Sequence, residues 1–383
     1  MKKVFREWKE IMEDPIRVLI IGMHDKIGGV ETFLMNYYRN INRDKVQFDF
    51  ISIYNKLCFE DEIKSLGGRV YTICSEKVNP IKYCNQLKKI IKENNYEIVH
   101  INMLSAANIL PVIVAKKQKV KHIIIHSHNS NTPSGLLRKI LNTLNKPFLH
   151  LGTDFFACSK LAGEWLYGKK FLKKHPLKII NNAVDLDNYK FNPEIRKNIR
   201  KELNCDDKFV IGHVGRFCYQ KNHEFLIDVF YEVQKEDKDV ILLLIGEGEL
   251  KEKIQKKVEE MNMQNSVIFL GTTGEVQNYL QAMDLFALPS RFEGLPVVGI
   301  EAQTSGTKCL FSCNITKETK IIDNTEFLDM NIQEWKKRIL NCKNISKKYE
   351  NVIDDRYNIK VACKALEQIY MNMAERIEKW LYI

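Results

Sequence analysis

The sequence predicts an α/β protein made of two doubly wound parallel sheets facing a central cleft. Three observations carry the prediction. Short apolar runs alternate with amphipathic helical stretches, the same pattern restarts near residue 209, and many of the runs are apolar throughout. Alternation of this kind marks β-α-β units. A run without polar positions suits a strand covered by helices on both faces. With 383 residues the chain is long enough for two such domains, at about 150 residues each.

The first strand is read at Arg17–Gly22, with a helix following through Phe33–Tyr38. Phe48–Ile53, Val70–Ile73, Ile98–Asn102, His122–His126 and Asp154–Cys158 continue the series. Asn181–Asp207 is polar and carries Pro193 and an Asn-Asn pair, so it reads as a connection between domains. The second series runs through Phe209–Gly215, Val240–Ile245, Val267–Leu270, Asp284–Leu288 and Lys308–Phe311, and helical periodicity returns over Ile359–Ile383. The expected divisions are 1–185 (with 1–14 as an extension), 186–207 as the connection, 208–358, and 359–383 as a C-terminal helix.

Hydrophobic residues at 45% and charged residues at 28% exclude a disordered or fibrous chain. The longest apolar stretches, Val18–Met23 and Val240–Ile245, fall far short of the roughly 20 residues that span a bilayer. Met1–Pro15 is charged and lacks the apolar core of a secretory signal. Ten cysteines without any C-x-x-C read as reduced thiols of a cytoplasmic protein rather than a zinc or disulfide framework.

The formal charge of +11 is unevenly spread: Gly135–Lys178 holds nine Lys and Arg against Asp154 and Glu164, a net +7. A solvated face gives such a count, and so does a patch for an anionic surface or acceptor. Arg138, Lys139, Lys169, Lys170, Lys173 and Lys174 form the candidate membrane or acceptor patch. Leu137, Ile140, Leu141, Leu144 and Phe148 recur there at helical spacing, as in a helix lying in a membrane interface or one facing a core. No nucleic-acid-binding module is recognisable.

Four segments carry chemistry. In Leu288–Gln303 a buried strand ends, Gly294 turns the chain and Pro296 stands where a helix begins. The backbone N–H groups of Gly294, Leu295 and Val297 then form an anion site, with Glu293 at its mouth. Glu301 lies about 9 Å further along the helix, roughly the spacing from a diphosphate to the ribose of one nucleotide. A carboxylate that accepts two ribose hydroxyls fits that position. In His213–His223, Gly215 closes a strand, and Arg216 and Lys221 project from the next loop. Two cations there would stabilise the charge growing on a diphosphate leaving group. In Gly22–Thr32, Gly28 and Gly29 let backbone approach a ligand closely at a helix start. In Ile123–Ser130, His126 and His128 share one face of a strand end, and His128 is placed to bond a sugar hydroxyl or steer a proton. Two lookalikes are set aside. Gly163–Lys170 mimics a P-loop but lacks the Ser or Thr that binds magnesium, and Asp185-Leu-Asp187 has no adjoining phosphate loop.

In that order, Gly-Gly-Val-Glu, His-Ser-His-Asn, Asn-Asn-Ala-Val-Asp, Val-Gly-Arg-Phe with Lys-Asn-His, and Glu-Gly-Leu-Pro-Val-Val-Gly-Ile-Glu-Ala-Gln resemble glycosyltransferase family 4 of the GT-B fold. The resemblance runs from about Ile16 to Trp335 and is to the branch that builds bacterial capsular and exopolysaccharide units. The spaced pair Glu293 and Glu301 is its most specific mark. The resemblance implies two Rossmann-like domains, an acceptor-side one first and a nucleotide-sugar-binding one second, with the C-terminal helix crossing back to the first. It implies a retaining hexosyltransferase that takes a nucleotide-sugar, commonly a UDP-sugar, as co-substrate and uses no metal or other cofactor. Arg216 and Lys221 then hold the diphosphate and Glu301 the ribose. Glu293 and His128 face the transferred sugar as the catalytic pair, and Gly28 and Gly29 lie near phosphate and acceptor. The expected acceptor is a glycan, lipid-linked, at the inner face of the cell membrane. A noncatalytic sugar-nucleotide-binding partner of a synthase and a GT-B-like epimerase are the alternatives. Thr307-Lys308 departs from the hydrophobic-proline continuation of the family.

Overall fold

The computed structural model describes residues 14–131, 135–343 and 354–381, with side chains up to residue 375. Residues 1–13 of the expected extension and the side chains of the final turns lie outside the described residues. The chain forms two compact units. One comprises the residues up to Ala183 together with those from Ile359 onward, the other Val184–Asn358.

The first unit is a seven-stranded sheet of β1 (Ile16–Ile21), β2 (Val46–Ser52), β3 (Val70–Thr72), β4 (Ile98–Met103), β5 (His122–Ser127), β6 (Asp154–Ala157) and β7 (Leu177–Ile179). Its order is β3-β2-β1-β4-β5-β6-β7, with every pairing parallel. A parallel sheet must bury both faces, and this one does. Val18, Ile20, Phe48 and Phe50 pack on one side with the helices Gly29–Asn40 and Ile359–Leu381. Leu19, Val99, Ile101, Ile123 and Ile125 pack on the other with Pro80–Glu93 and Leu110–Lys117. On the first side Cys363, Leu366 and Tyr370 of the last helix are buried in the same cluster as Phe33 and Tyr37. Strand order reverses between β1 and β4, the point at which doubly wound sheets bind ligands beyond their strand C-termini.

The second unit repeats the plan in six strands: β8 (Phe209–Val214), β9 (Val240–Ile245), β10 (Val267–Gly271), β11 (Leu285–Leu288), β12 (Lys308–Ser312) and β13 (Thr325–Leu328). They are ordered β10-β9-β8-β11-β12-β13, again all parallel. The reversal here falls between β8 and β11. The two motif loops of this half, Gly215–Lys221 and Pro289–Pro296, leave the C-terminal ends of those two strands.

Three features differ from the sequence reading. Strands β7 and β13 are only three and four residues long, too short to stand out. Residues 186–207, read as a connection, include the helices Leu186–Tyr189 and Pro193–Glu202 of the second unit. Asp284 accepts hydrogen bonds from Arg196 and Arg200 there, anchoring the second of these helices. Pro296 is the N-cap of Val297–Thr304 rather than its first residue.

Candidate functional site

In the second unit the two motif loops are laced together. The Arg291 N–H donates to Gln220 O at 2.8 Å. Gln220 Nε2 donates to Phe292 O at 3.0 Å and to Glu293 Oε2 at 3.1 Å. Lys221 Nζ lies 2.7 Å from Glu293 Oε1. Both members of this ion pair are largely buried, so it is screened far less than a surface pair. Gly215 makes room for the lysine: a Cβ there would stand 3.1 Å from Lys221 Cδ and from His213 Nε2. Gln220 was not singled out from sequence, because a glutamine in a turn carries no pattern of its own.

Gly294 and Leu295 form the turn between Glu293 and the helix Val297–Thr304. Glu301 is buried inside that helix, and the Tyr189 hydroxyl donates to its Oε1 at 2.8 Å. Burial pushes the Glu301 carboxyl up to about 7, against the opposing pull of the Tyr189 hydroxyl and the Lys221 charge. Arg216 is exposed and paired with Glu249 at 3.0 Å, on the same loop as Lys221 but outside the laced cluster. The structure thus joins Lys221 to Glu293, sets Glu301 further along the same helix, and leaves Arg216 in an ion pair that solvent can exchange.

In the first unit Gly28 is the N-cap of Gly29–Asn40 and Gly29 its first residue. The buried Glu31 carboxylate folds back across this loop, where its Oε1 accepts from the His24 N–H at 3.0 Å. A Cβ on Gly28 would meet Glu31 Oε2 at 2.8 Å, whereas one on Gly29 would meet nothing within 4 Å. A Cβ on Gly28 would press only on the movable end of the Glu31 side chain, and nothing within the chain calls for a glycine at Gly29.

His128 follows β5 directly, half-buried, with its ring 4.0 Å from that of His126 and in edge-to-face contact with Phe33. Its Nε2 lies 2.8 Å from Asn102 Oδ1. His126 and His100 are buried and bonded, Nδ1 to Nε2, at 3.0 Å, and His100 Nδ1 meets the Tyr370 hydroxyl at 2.7 Å. Burial drives the His100 ring down to about 3, and burial with the neighbouring His100 does the same for His128.

Among the described residues no group of three or more His, Cys, Asp or Glu is placed to hold a metal ion. Asp185 is a helix cap, its side chain accepting from the Asp187 N–H. The basic patch divides in two. Phe171 and Leu172 pack against the core below Lys169, Lys170, Lys173 and Lys174, which are exposed. The helix Leu136–Asn145, bearing Arg138 and Lys139, is inverted: its one buried side chain is Asn142, which accepts from the Ala106 N–H at 2.8 Å. Leu136, Leu137 and Leu144 on the same helix are 76%, 69% and 64% exposed.

Comparison with known proteins places this geometry in context. Residues 194–360 match the family described as glycosyl transferases group 1, and residues 27–188 match Glycosyltransferase Family 4. The chain is 32% identical over 309 residues to the "Putative glycosyltransferase EpsF" of Bacillus subtilis (strain 168), covering 79% of this chain and 80% of that protein. It is 27% identical to the capsular polysaccharide biosynthesis glycosyltransferase CapH of Staphylococcus aureus, covering 93% and 99%. It is also 27% identical to an Escherichia coli UDP-Gal:alpha-D-GlcNAc-diphosphoundecaprenol alpha-1,3-galactosyltransferase, covering 79% and 83%. Among solved structures, Anabaena HepE in complex with UDP-glucose superposes with a TM-score of 0.69 at 18% identity over 96% of this chain and 99% of that one. WaaG, a glycosyltransferase involved in lipopolysaccharide biosynthesis, gives 0.65 at 12% identity over 93% and 95%. The fold is GT-B.

Proposed function

The chain belongs to glycosyltransferase family 4, and on that premise we propose that it moves a hexose or N-acetylhexosamine from a UDP-sugar to a lipid-linked glycan during surface-polysaccharide synthesis. The observation that carries the proposal is the Lys221–Glu293 pair at the entrance to the Val297–Thr304 helix, with buried Glu301 further along it. This arrangement offers positive charge beside a helix N-terminus for a diphosphate and a sheltered carboxylate for a ribose. The relatives support the donor and acceptor classes: one is named for a UDP-sugar and a diphosphoundecaprenol-linked acceptor, and HepE was crystallised with UDP-glucose.

In this reading the bond from the sugar C1 to the phosphate oxygen breaks while the acceptor oxygen bonds C1 on the same face. The acceptor proton passes to the departing phosphate, and the configuration at C1 is retained. Lys221 and Arg216 exchange their carboxylate partners for the diphosphate, so each is already charged and positioned before the donor arrives. Glu293 and His128 are assigned to the transferred sugar. Positive charge from side chains replaces a metal, and the reaction proceeds without one. The inverted helix Leu136–Asn145, with Lys169, Lys170, Lys173 and Lys174, docks the first unit on an anionic leaflet where a lipid-linked acceptor resides.

The test is a donor screen by thermal shift followed by incubation of the bound donor with lipid extract. Formation of an anomerically retained glycolipid supports the proposal. Binding without any transfer or donor hydrolysis favours a noncatalytic partner, and epimerised donor without transfer favours an epimerase.

A further inference from the structure

Asn102 ties together two motifs that lie far apart in the sequence. At the end of β4, its Nδ2 donates to Ile21 O at 3.2 Å, at the mouth of the Gly22–Gly29 loop. The loop presses on it closely: Gly22 has φ +108°, and a Cβ there would fall 2.3 Å from Asn102 O. The Ile21 carbonyl can only accept, so it fixes which end of the amide faces it. Asn102 Oδ1 must then face His128 Nε2, 2.8 Å away, and an amide oxygen can only accept. His128 Nε2 therefore carries the proton, and its Nδ1 is left with a lone pair. Burial and the adjacent His100 keep the ring neutral, and His100 and His126 beside it are buried and held neutral in the same way.

We infer that Asn102 is a positioning residue that fixes the tautomer of His128, so that His128 Nδ1 acts as a hydrogen-bond acceptor for a hydroxyl group of the sugar. The inference rests on the reading of His128 as a sugar-site residue and narrows its chemistry. A neutral ring with Nδ1 unprotonated takes a free hydroxyl. It rejects a carbonyl, phosphate or carboxylate oxygen at that point, where two acceptors would oppose each other.

The experiment uses the full chain labelled with ¹⁵N-histidine, with His128 assigned by comparison with His128→Gln. We expect pyrrole-type Nε2 and pyridine-type Nδ1 shifts for His128 at pH 8. Asn102→Asp keeps the acceptor for Nε2–H but loses the donor to Ile21 O, whereas Asn102→Leu loses both. If Asn102 acts through the tautomer, Asn102→Asp at pH 8.5 retains the His128 shift pattern and donor-dependent activity within about tenfold of wild type, while Asn102→Leu loses both. If it only braces the loop, the two variants are equally impaired, and the inference is overturned. A protonated Nδ1 in the wild type overturns it as well. A correct tautomer with no loss of donor binding in His128→Ala would instead place the failure in the sugar-site reading.

Discussion

The Tyr189 hydroxyl donates to Glu301 Oε1 at 2.8 Å, so the buried carboxylate assigned to ribose already holds one hydroxyl in the unliganded protein. Ribose hydroxyls bind the ionised form, whereas burial holds Glu301 near 7. Donor affinity should therefore rise as pH increases from 6 to 8. Tyr189→Phe removes a bond that favours the charged form, and should move the midpoint to higher pH. Calorimetry with an intact UDP-sugar, whose diphosphate does not titrate in this range, measures both. A flat or falling profile removes Glu301 from the ribose site.

The same carboxyl lowers the stability of the unliganded fold. A carboxyl raised from 4.5 to about 7 on folding holds its proton longer in the native state, so stability is greatest below pH 4.5 and falls as pH rises through 7. Glu301→Gln should thus stabilise the free protein at pH 8 by up to about 3 kcal/mol, and still lose donor binding. Denaturant unfolding at pH 5 and pH 8 checks the sign, because the gain should shrink to about 1 kcal/mol or less at the lower pH.

Lys221→Ala should cut kcat/KM by roughly 30- to 1,000-fold, about 2–4 kcal/mol of transition-state stabilisation. It also strands Glu293 in a site that is largely closed to water. The double variant Lys221→Ala/Glu293→Gln should recover thermal stability without recovering activity. Near-wild-type turnover in the single variant would remove Lys221 from the diphosphate site.

At Gly29 no intramolecular contact and no positive φ demands a glycine. Gly29→Ala should leave the melting temperature unchanged or slightly raised, since alanine favours a helix. KM for the donor or acceptor should rise at least tenfold. An unchanged KM would make Gly29 incidental.

Leu137, Ile140 and Leu144 are exposed, so replacing all three with serine should not unfold the protein. The triple variant should lose co-sedimentation with anionic liposomes at low salt. Changing Lys169, Lys170, Lys173 and Lys174 to Glu should weaken binding in a salt-dependent way, by roughly 1 kcal/mol per lysine. Wild type that remains in the supernatant would reduce the patch to a solvated face.

The architecture was legible because parallel strands buried on both faces must be apolar along their length, as Val240–Ile245 is. The edge strands β7 and β13 escaped because, at three and four residues, they are too short to show a period. For the site, Lys221, Glu293 and Glu301 stand in motifs whose local geometry is encoded over a few residues. Tyr189 does not: it meets Glu301 across 112 positions of sequence, and a lone tyrosine in a polar stretch carries no sign of that contact. Asn102 is equally silent, since its role depends on β4 lying beside β1 and β5. The leucines of Leu136–Asn145 had helical periodicity, but periodicity gives the face and not the direction in which it points.

The last helix, Ile359–Leu381, completes a domain whose first strand begins at Ile16. Cys363, Leu366 and Tyr370 fill the core around Phe33 and Tyr37, so the first unit lacks one wall until the segment from Ile359 has left the ribosome. Its order of synthesis and its order of completion are therefore opposed. The second unit, contiguous in sequence, can close while the first still exposes apolar surface. Premature termination before Ile359 would leave the second unit intact and make the first the aggregating part.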